Sequence, residues 1–262
     1  TSPFAFTGNK FEFRMPGSDV NLADCNTILN TAMAKGLKDF ADAMGDVEGA
    51  EFEKKAIKYI KKTLTDHQRI IFNGNGYSEE WEEEAQRRGL ANYRTTAEAL
   101  PCFVSQKSLD LFAEFGVLSE AEVRSRYEVK LEKYNKLLNI EARVMIRMAR
   151  RTYLPAISDY MADLASNITT VKAALRGADM TEHEKLLNKI LNGFNRAAEC
   201  VRQLVKIHDA TEAIEDPQEQ ANSYAAKVIP AMEALRKEID DLECIVERGY
   251  WPVPTYNDML FY

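Results

Sequence analysis

Four runs in which apolar residues recur at spacings of three and four constrain this chain more than any other feature. Val123, Tyr127, Leu131, Tyr134 and Leu138 make the first, and Ile157, Met161, Leu164, Ile168, Val171 and Leu175 the second. Leu187, Leu191, Phe194, Ala198, Val201, Val205 and His208 make the third, and Ala225, Val228, Met232, Leu235, Ile239, Leu242 and Val246 the fourth. Residues so spaced share one face of an α-helix, and successive seams joined by short polar linkers must bury those faces against one another. The expected fold class is therefore mainly α, with long antiparallel helices in a bundle. Composition agrees. The 262 residues include only 12 Gly and 8 Pro, fewer than the about 7% and 5% of average usage, so breakers are scarce.

Local signals bound the helices. Ser119 with Glu122, and Thr181 with Glu184, have the spacing of capping boxes. Pro155 and Pro230 each remove a backbone hydrogen bond inside a periodic stretch, and a kink or a division of the helix is expected at both. Upstream, Ile28, Leu29, Met33, Leu37 and Phe40 predict a helix from Asn21 to about Met44, stopped by Gly45. A second runs from about Glu51 to Ile71 through Phe52, Ile57, Ile60 and Leu64, and a short third begins after Ser78. Residues 89–118 read as loops and short turns, with three helical turns expected from Ser105 to Phe115. The tail GYWPVPTYNDMLFY is aromatic, takes an extended path at its prolines, and is expected to dock on the body or a neighbour.

The convincing β signal lies at the start. Phe4 and Phe6 alternate, Gly8-Asn9 offers a turn, and Phe11, Phe13 and Met15 alternate again, predicting a hairpin over residues 3–15. Period-two alternation then puts Lys10, Glu12 and Arg14 on the opposite face. Neighbours on that face lie roughly 6.5–7 Å apart, so a carboxylate could hold a divalent cation while flanking cations meet phosphate oxygens. An exposed strand with alternating charge reads the same way.

Several function classes are excluded. The net charge of -7 and pI near 5.2 argue against a surface built to hold nucleic acid. No apolar run approaches the roughly 18 residues of a membrane span, and no basic-then-apolar leader opens the chain. Cys25, Cys102, Cys200 and Cys244 are scattered without metal-site spacing, so reduced thiols in a cytoplasmic, membrane-free protein are expected. FNGNGYSEEW lacks the strand and Lys-Ser/Thr ending of a phosphate loop and reads as a helix-terminating loop. The acidic run Glu79, Glu80, Glu82, Glu83, Glu84 suits a helix start without a metal. His67, His183 and His208 have no near partners, and His208, on a seam, reads as a structural histidine. Arg143, Arg147, Arg150 and Arg151 read as a solvated or interface face, with an anion site as the alternative.

Three blocks carry a family resemblance: TSPFAFTGNKFEFR at the start, RIIFNGNGYSEEW in the middle and YWPVPTYNDMLF at the end. NKFEFRMP followed by a helix resembles the R-x-E-x-R stretch late in the catalytic domain of glutamine synthetases, and the three blocks in this order resemble the large type III branch. Cys25 and Asn257 depart from that pattern, which usually has Pro and Gly there. The resemblance implies ATP-dependent joining of ammonia to L-glutamate through a γ-glutamyl phosphate, with Mg2+ or Mn2+. It implies Glu12 as a metal ligand, Arg14 as a contact to the glutamate carboxylate and the transferring phosphoryl group, and Lys10 near the ATP phosphates.

On this reading residues 1–45 are the end of a larger catalytic α/β domain, which leaves the hairpin as its remnant, and residues 46–262 are a helical C-terminal region. The chain would open just after the family's substrate-binding Asn-Arg pair, with the other metal-binding glutamates upstream, so alone it is expected to be inactive. The complete subunit would assemble with others into a ring-shaped homo-oligomer. The rival reading is a stand-alone helical interaction module with a merely structural hairpin.

Overall fold

The computed structural model describes residues 4–6, 10–13 and 21–260. Strands β1 (Phe4–Phe6) and β2 (Phe11–Phe13) pair antiparallel, with Phe4 opposite Phe13 and Phe6 opposite Phe11. The Gly8-Asn9 turn of the expected hairpin lies outside the described residues. Every described residue beyond them is helical or irregular, so the mainly α reading holds. The chain forms two compact units, Thr1–Tyr127 and Glu128–Tyr262.

In the first unit, α1 (Leu22–Met44) starts where Asn21 accepts the Ala23 N–H at 2.7 Å, and it ends at Gly45. Helix α2 (Gly49–Asp66) stops short of the expected Ile71. The chain leaves helical geometry at His67 and enters a 3₁₀ turn, Gln68–Ile70. Phe40 of α1 meets Phe52 and Tyr59 edge-on, with centroids 6.3 and 5.4 Å apart. No residue of α2 is buried, and Ile57, Ile60 and Leu64 are about half exposed.

Helices α3 (Glu79–Arg87) and α4 (Thr96–Ala99) follow, the latter opened by a Thr95–Glu98 capping box that the sequence reading missed. A 3₁₀ turn (Leu100–Val104) leads into α5 (Gln106–Glu114), the helical turns expected from Ser105 to Phe115, with Ser105 as its cap. Gly116, at φ 59°, lets the Val117 N–H turn back to the Phe112 carbonyl and close the end of α5. Leu109, Phe112 and Val123 are buried there against Phe103, Val104 and Leu118.

The boundary between the units falls inside α6 (Glu120–Met148). Its start is the expected capping box: Glu122 accepts the Ser119 N–H at 2.8 Å, and Ser119 Oγ accepts the Glu122 N–H at 3.3 Å. The second unit adds α7 (Leu154–Ala174), α8 (Thr181–Glu212), α9 (Pro217–Ser223), α10 (Ile229–Glu243) and α11 (Tyr256–Leu260).

Neither proline divides its helix. Each follows a π turn instead, Ala149–Tyr153 before Pro155 and Tyr224–Val228 before Pro230. The Leu154 N–H bonds to the Ala149 carbonyl and the Ile229 N–H to the Tyr224 carbonyl, five residues back in each case. A proline ring collides with the carbonyl four residues earlier in a regular α-helix, and one widened turn relieves that collision while the helix continues. The buried row records the insertion: Ala142 to Ala149 and Ile157 to Leu164 are heptad steps, whereas Ala149 to Ile157 takes one residue more.

Two other expectations are corrected. Thr181 lies within α8 rather than capping it; Asp179 Oδ1 accepts the Thr181 N–H at 3.0 Å, and Glu184 pairs with Lys172. The deepest row of α8 is Ile190, Gly193, Ala197, Val201, Leu204, His208 and Thr211, while Leu191 of the expected seam is 43% exposed. Helix α8 packs on both α7 and α10. A helix with two partners buries the strip between them, one position from the seam that a single partner would select. The α10 row Leu235, Ile239 and Leu242 is buried as expected.

At Gly193 the two helices come close: an added Cβ would lie 2.8 Å from Leu242 Cδ2. The connection from α8 to α9 is tied as well. Thr211 and Ser223 share a hydroxyl hydrogen bond at 2.8 Å, and Asn135 Nδ2 donates to the Pro217 carbonyl at 2.9 Å. The aromatic tail docks as expected, with Trp251 buried beside Tyr153 and Tyr250 beside Tyr160.

Gly193→Val is expected to destabilise the chain by about 1–3 kcal/mol, because Leu242 is itself buried and overpacking outweighs the gain in helix propensity. Urea unfolding reads this. In a Leu242→Ala background the same substitution should cost much less, and equal cost in both backgrounds would refute the contact.

Candidate functional site

Of the three residues expected to act on substrate, the structure describes two. Lys10 directly precedes β2, and Glu12 sits at the strand's centre opposite Ala5. Their side chains face one another at 3.9 Å, with Lys10 68% and Glu12 37% exposed. Arg14 lies outside the described residues. A contact of that length between exposed groups is weak, and Glu12 keeps an accessible carboxylate. Mg2+ commonly takes one or two carboxylates and completes its shell with water and phosphate oxygens. Glu12 fits as one member of such a set.

The Gly-rich loop after the Gln68–Ile70 turn is built for packing. A Cβ on Gly74 would lie 2.6 Å from the Phe72 ring, so the glycine lets that ring lie against the backbone. Phe72 stacks on Trp81 at 4.3 Å between centroids, the Arg88 guanidinium lies 5.6 Å over Trp81, and Arg88 Nη1 donates to the Ile71 carbonyl at 2.8 Å. The helix-terminating reading of this loop stands. The acidic start of α3 is answered locally too: Glu82 pairs with Arg94, and Glu84 with Arg87 and Arg88.

The second unit holds two grooves. One, of about 460 Å³, is lined by Met145, Met148, Met232 and Met259 among other residues of α6, α10 and the tail. The other, of about 430 Å³, gathers the four arginines Arg143, Arg147, Arg150 and Arg151 opposite His208, Asp209 and Glu212. His208 is buried, and its Nε2 lies 2.9 Å from Asn139 Oδ1. Asn139 Nδ2 donates to Glu212 at 3.3 Å, which fixes the amide with its oxygen toward the histidine. Nε2 is thus placed to donate to the Asn139 oxygen, while Nδ1 lies 3.4 Å from Asp209 Oδ1. The structural role expected for His208 is borne out, through a partner 69 positions away that its sequence neighbours do not reveal.

All four cysteines are free. Burial pushes the Cys200 thiol up, away from the range of a reactive thiolate. Among the described residues no helix is long and apolar enough to cross a membrane.

Comparison with known proteins shows what this mainly helical chain, with its short charged strand and docked aromatic tail, is similar to. Residues 55–172 match the family described as glutamine synthetase C-terminal domain. Over the whole chain the sequence is 35% identical to type-3 glutamine synthetase of Dictyostelium discoideum, covering 36% of that protein. It is 35% identical to a glutamine synthetase of Butyrivibrio fibrisolvens and 33% to one of Bacteroides fragilis, covering 37% of each. The resemblance carried by the opening, middle and closing blocks is thus found across the full 262 residues. The chain is similar to part of each of these proteins and spans little more than a third of their length.

The docked tail supplies a test by pH. Tyr250 donates to Asp163, and that hydrogen bond, with desolvation and nearby carboxylates, pushes its phenol up to about 12 from the usual 10. A raised folded-state value means the contribution is complete below pH 10 and is lost as pH climbs through about 12. The stability difference between wild type and Tyr250→Phe should be constant at neutral pH and shrink above pH 10. A flat difference from pH 9 to 12 would remove the hydrogen bond from the account.

Proposed function

We propose that this chain supplies the C-terminal part of an ATP-dependent glutamate–ammonia ligase that makes glutamine through γ-glutamyl phosphate. The observation that carries this reading is the similarity to glutamine synthetases over the entire chain, including the strand that bears Glu12. In the proposal residues 1–45, the hairpin and α1, close a catalytic domain. Residues 46–262 form the helical region peculiar to the type III branch, an antiparallel bundle.

Glu12 would hold the divalent cation, Mg2+ or Mn2+, beside the ATP phosphates. The ion supplies charge neutralisation at the phosphoryl oxygens. Lys10, exposed on the same face, places a cation within reach of nucleotide phosphate. Arg14 offers a fork of donors to the glutamate side-chain carboxylate and to the phosphoryl group leaving ATP. Phosphoryl transfer asks the protein for positioning and for cations where charge spreads over oxygen, which is what these three side chains would supply. The remaining metal-binding carboxylates, the ammonium pocket and most of the nucleotide pocket come from the part of the enzyme outside this chain. The complete subunits assemble as a ring, and the enzyme works in the cytoplasm.

Glu12→Ala in the complete enzyme should lower glutamine formation at saturating Mg2+ by about 100-fold or more, with an unchanged circular dichroism spectrum. Activity within a fewfold of wild type would reject the metal-ligand role. The 262-residue chain alone should form no glutamine.

A further inference from the structure

The groove lined by α6, the first π turn and α8 carries charge that its own walls do not answer. Arg143, Arg147, Arg150 and Arg151 face Asp209 and Glu212 there, over a floor that includes Ile146 and Val205. Four guanidiniums against two carboxylates leave this groove positive in a chain whose net charge is -7. Arg143 is committed: it pairs with Glu212 and holds that carboxyl below the usual range. Arg147, Arg150 and Arg151 have no carboxylate partner among the described residues. By contrast Arg196, Arg202, Arg236 and Arg248 of the same unit each reach one.

The backbone explains the convergence. Arg147 and Arg151 are four residues apart and Arg150 lies between them one turn on, so all three occupy one helical stripe. Arg150 and Arg151 belong to the π turn that Pro155 imposes, and both line the groove. π turns inside long helices recur where side chains must be re-aimed at a site. The opposite wall is set by the His208–Asn139–Glu212 hydrogen bonds.

A cation is the competing occupant, because the donor atoms of His208, Asp209 and Glu212 lie within 4.8 Å of one another. That cluster is compromised. Glu212 is engaged by Arg143 and Asn139, His208 Nε2 is turned to Asn139, and the three uncommitted guanidiniums would repel a metal ion.

We propose that this groove binds a small oxyanion bearing two or more negative charges, a phosphoryl or polycarboxylate group, through Arg147, Arg150 and Arg151. The planar guanidinium fork suits the paired oxygens of both groups, and three of them on fixed helical walls give a chelating arrangement without a large rearrangement. The apolar floor leaves room for a carbon skeleton beside the charged head.

Titration calorimetry of the 262-residue chain at low ionic strength, with inorganic pyrophosphate and with citrate as probes, tests this. Saturable binding of one anion per chain is expected. Arg147→Gln/Arg150→Gln/Arg151→Gln should weaken it about tenfold or more, whereas Lys61→Gln/Lys62→Gln on exposed α2 should leave it unchanged. Tighter pyrophosphate binding would assign the site to phosphoryl ligands and tighter citrate binding to polycarboxylates, and either supports it. If the triple variant fails to fold by circular dichroism, Arg147→Gln alone carries the comparison, with a fewfold loss expected. Absence of saturable heat with both probes would overturn the proposal, as would equal weakening by the α2 substitutions.

Discussion

The close approach of α8 and α10 at Gly193 is the contact on which the second unit depends. Without a side chain at that position, Leu242 sinks against the α8 backbone, and Leu235 and Ile239 reach the core. Helix α8 can then pack on α7 along one flank and on α10 along the other. The fully enclosed residues follow from that sandwiching: Ile190, Ala197, Leu204, Leu235 and Leu242 all have almost no exposed surface. Such a core tolerates little change in volume, since close-packed interiors resist both cavities and overpacking.

Much of this was legible in the residues because helical periodicity survives any tertiary arrangement. The four apolar runs lie in helices except at Leu175 and Val246, just past the ends of α7 and α10, and the Ser119 box opens α6. What periodicity cannot convey is the number of partners a helix has. For α8 the spacing selected Leu191, and the second neighbour moved the buried strip to Ile190 and Gly193. Capping boxes carry a similar ambiguity. Thr181 with Glu184 has the right spacing, yet Asp179 reaches the same N–H first, whereas Thr95 with Glu98 had the spacing and sat in a stretch read as loop.

The candidate chemistry was legible in a different way. Nothing in the local pattern of Lys10 and Glu12 distinguishes a catalytic strand from an exposed one, and their long, solvated contact does not either. The proposed reading rests instead on similarity over the whole chain, since that strand lies within the match to proteins named glutamine synthetase. The arginine groove is the reverse case. Its four basic residues stand together in sequence with Asn139 just before them, while the histidine and the acids that shape it come from distant α8 and are brought there by packing. The half-exposed apolar face of α2 belongs with these: its amphipathic pattern is plain in the sequence, but no described residue of the first unit buries it.

The π turn before Pro155 also sets a rule for how this chain can change by insertion and deletion. One extra residue in an α-helix rotates everything beyond it by about 100° about the helix axis. Here the widened turn absorbs that rotation, so Ala149 and Ile157 both point into the core although their separation is one more than a heptad. A lineage that lost one residue from Ala149–Tyr153 would have to lose the proline constraint with it. Helices α6 and α7 would then merge in ordinary phase, and the arginine stripe would keep its first members while surrendering one of the pair the bulge presents. Length variation at this point should therefore be inherited jointly with position 155 and with basic residues at 150 and 151, as a single evolutionary unit.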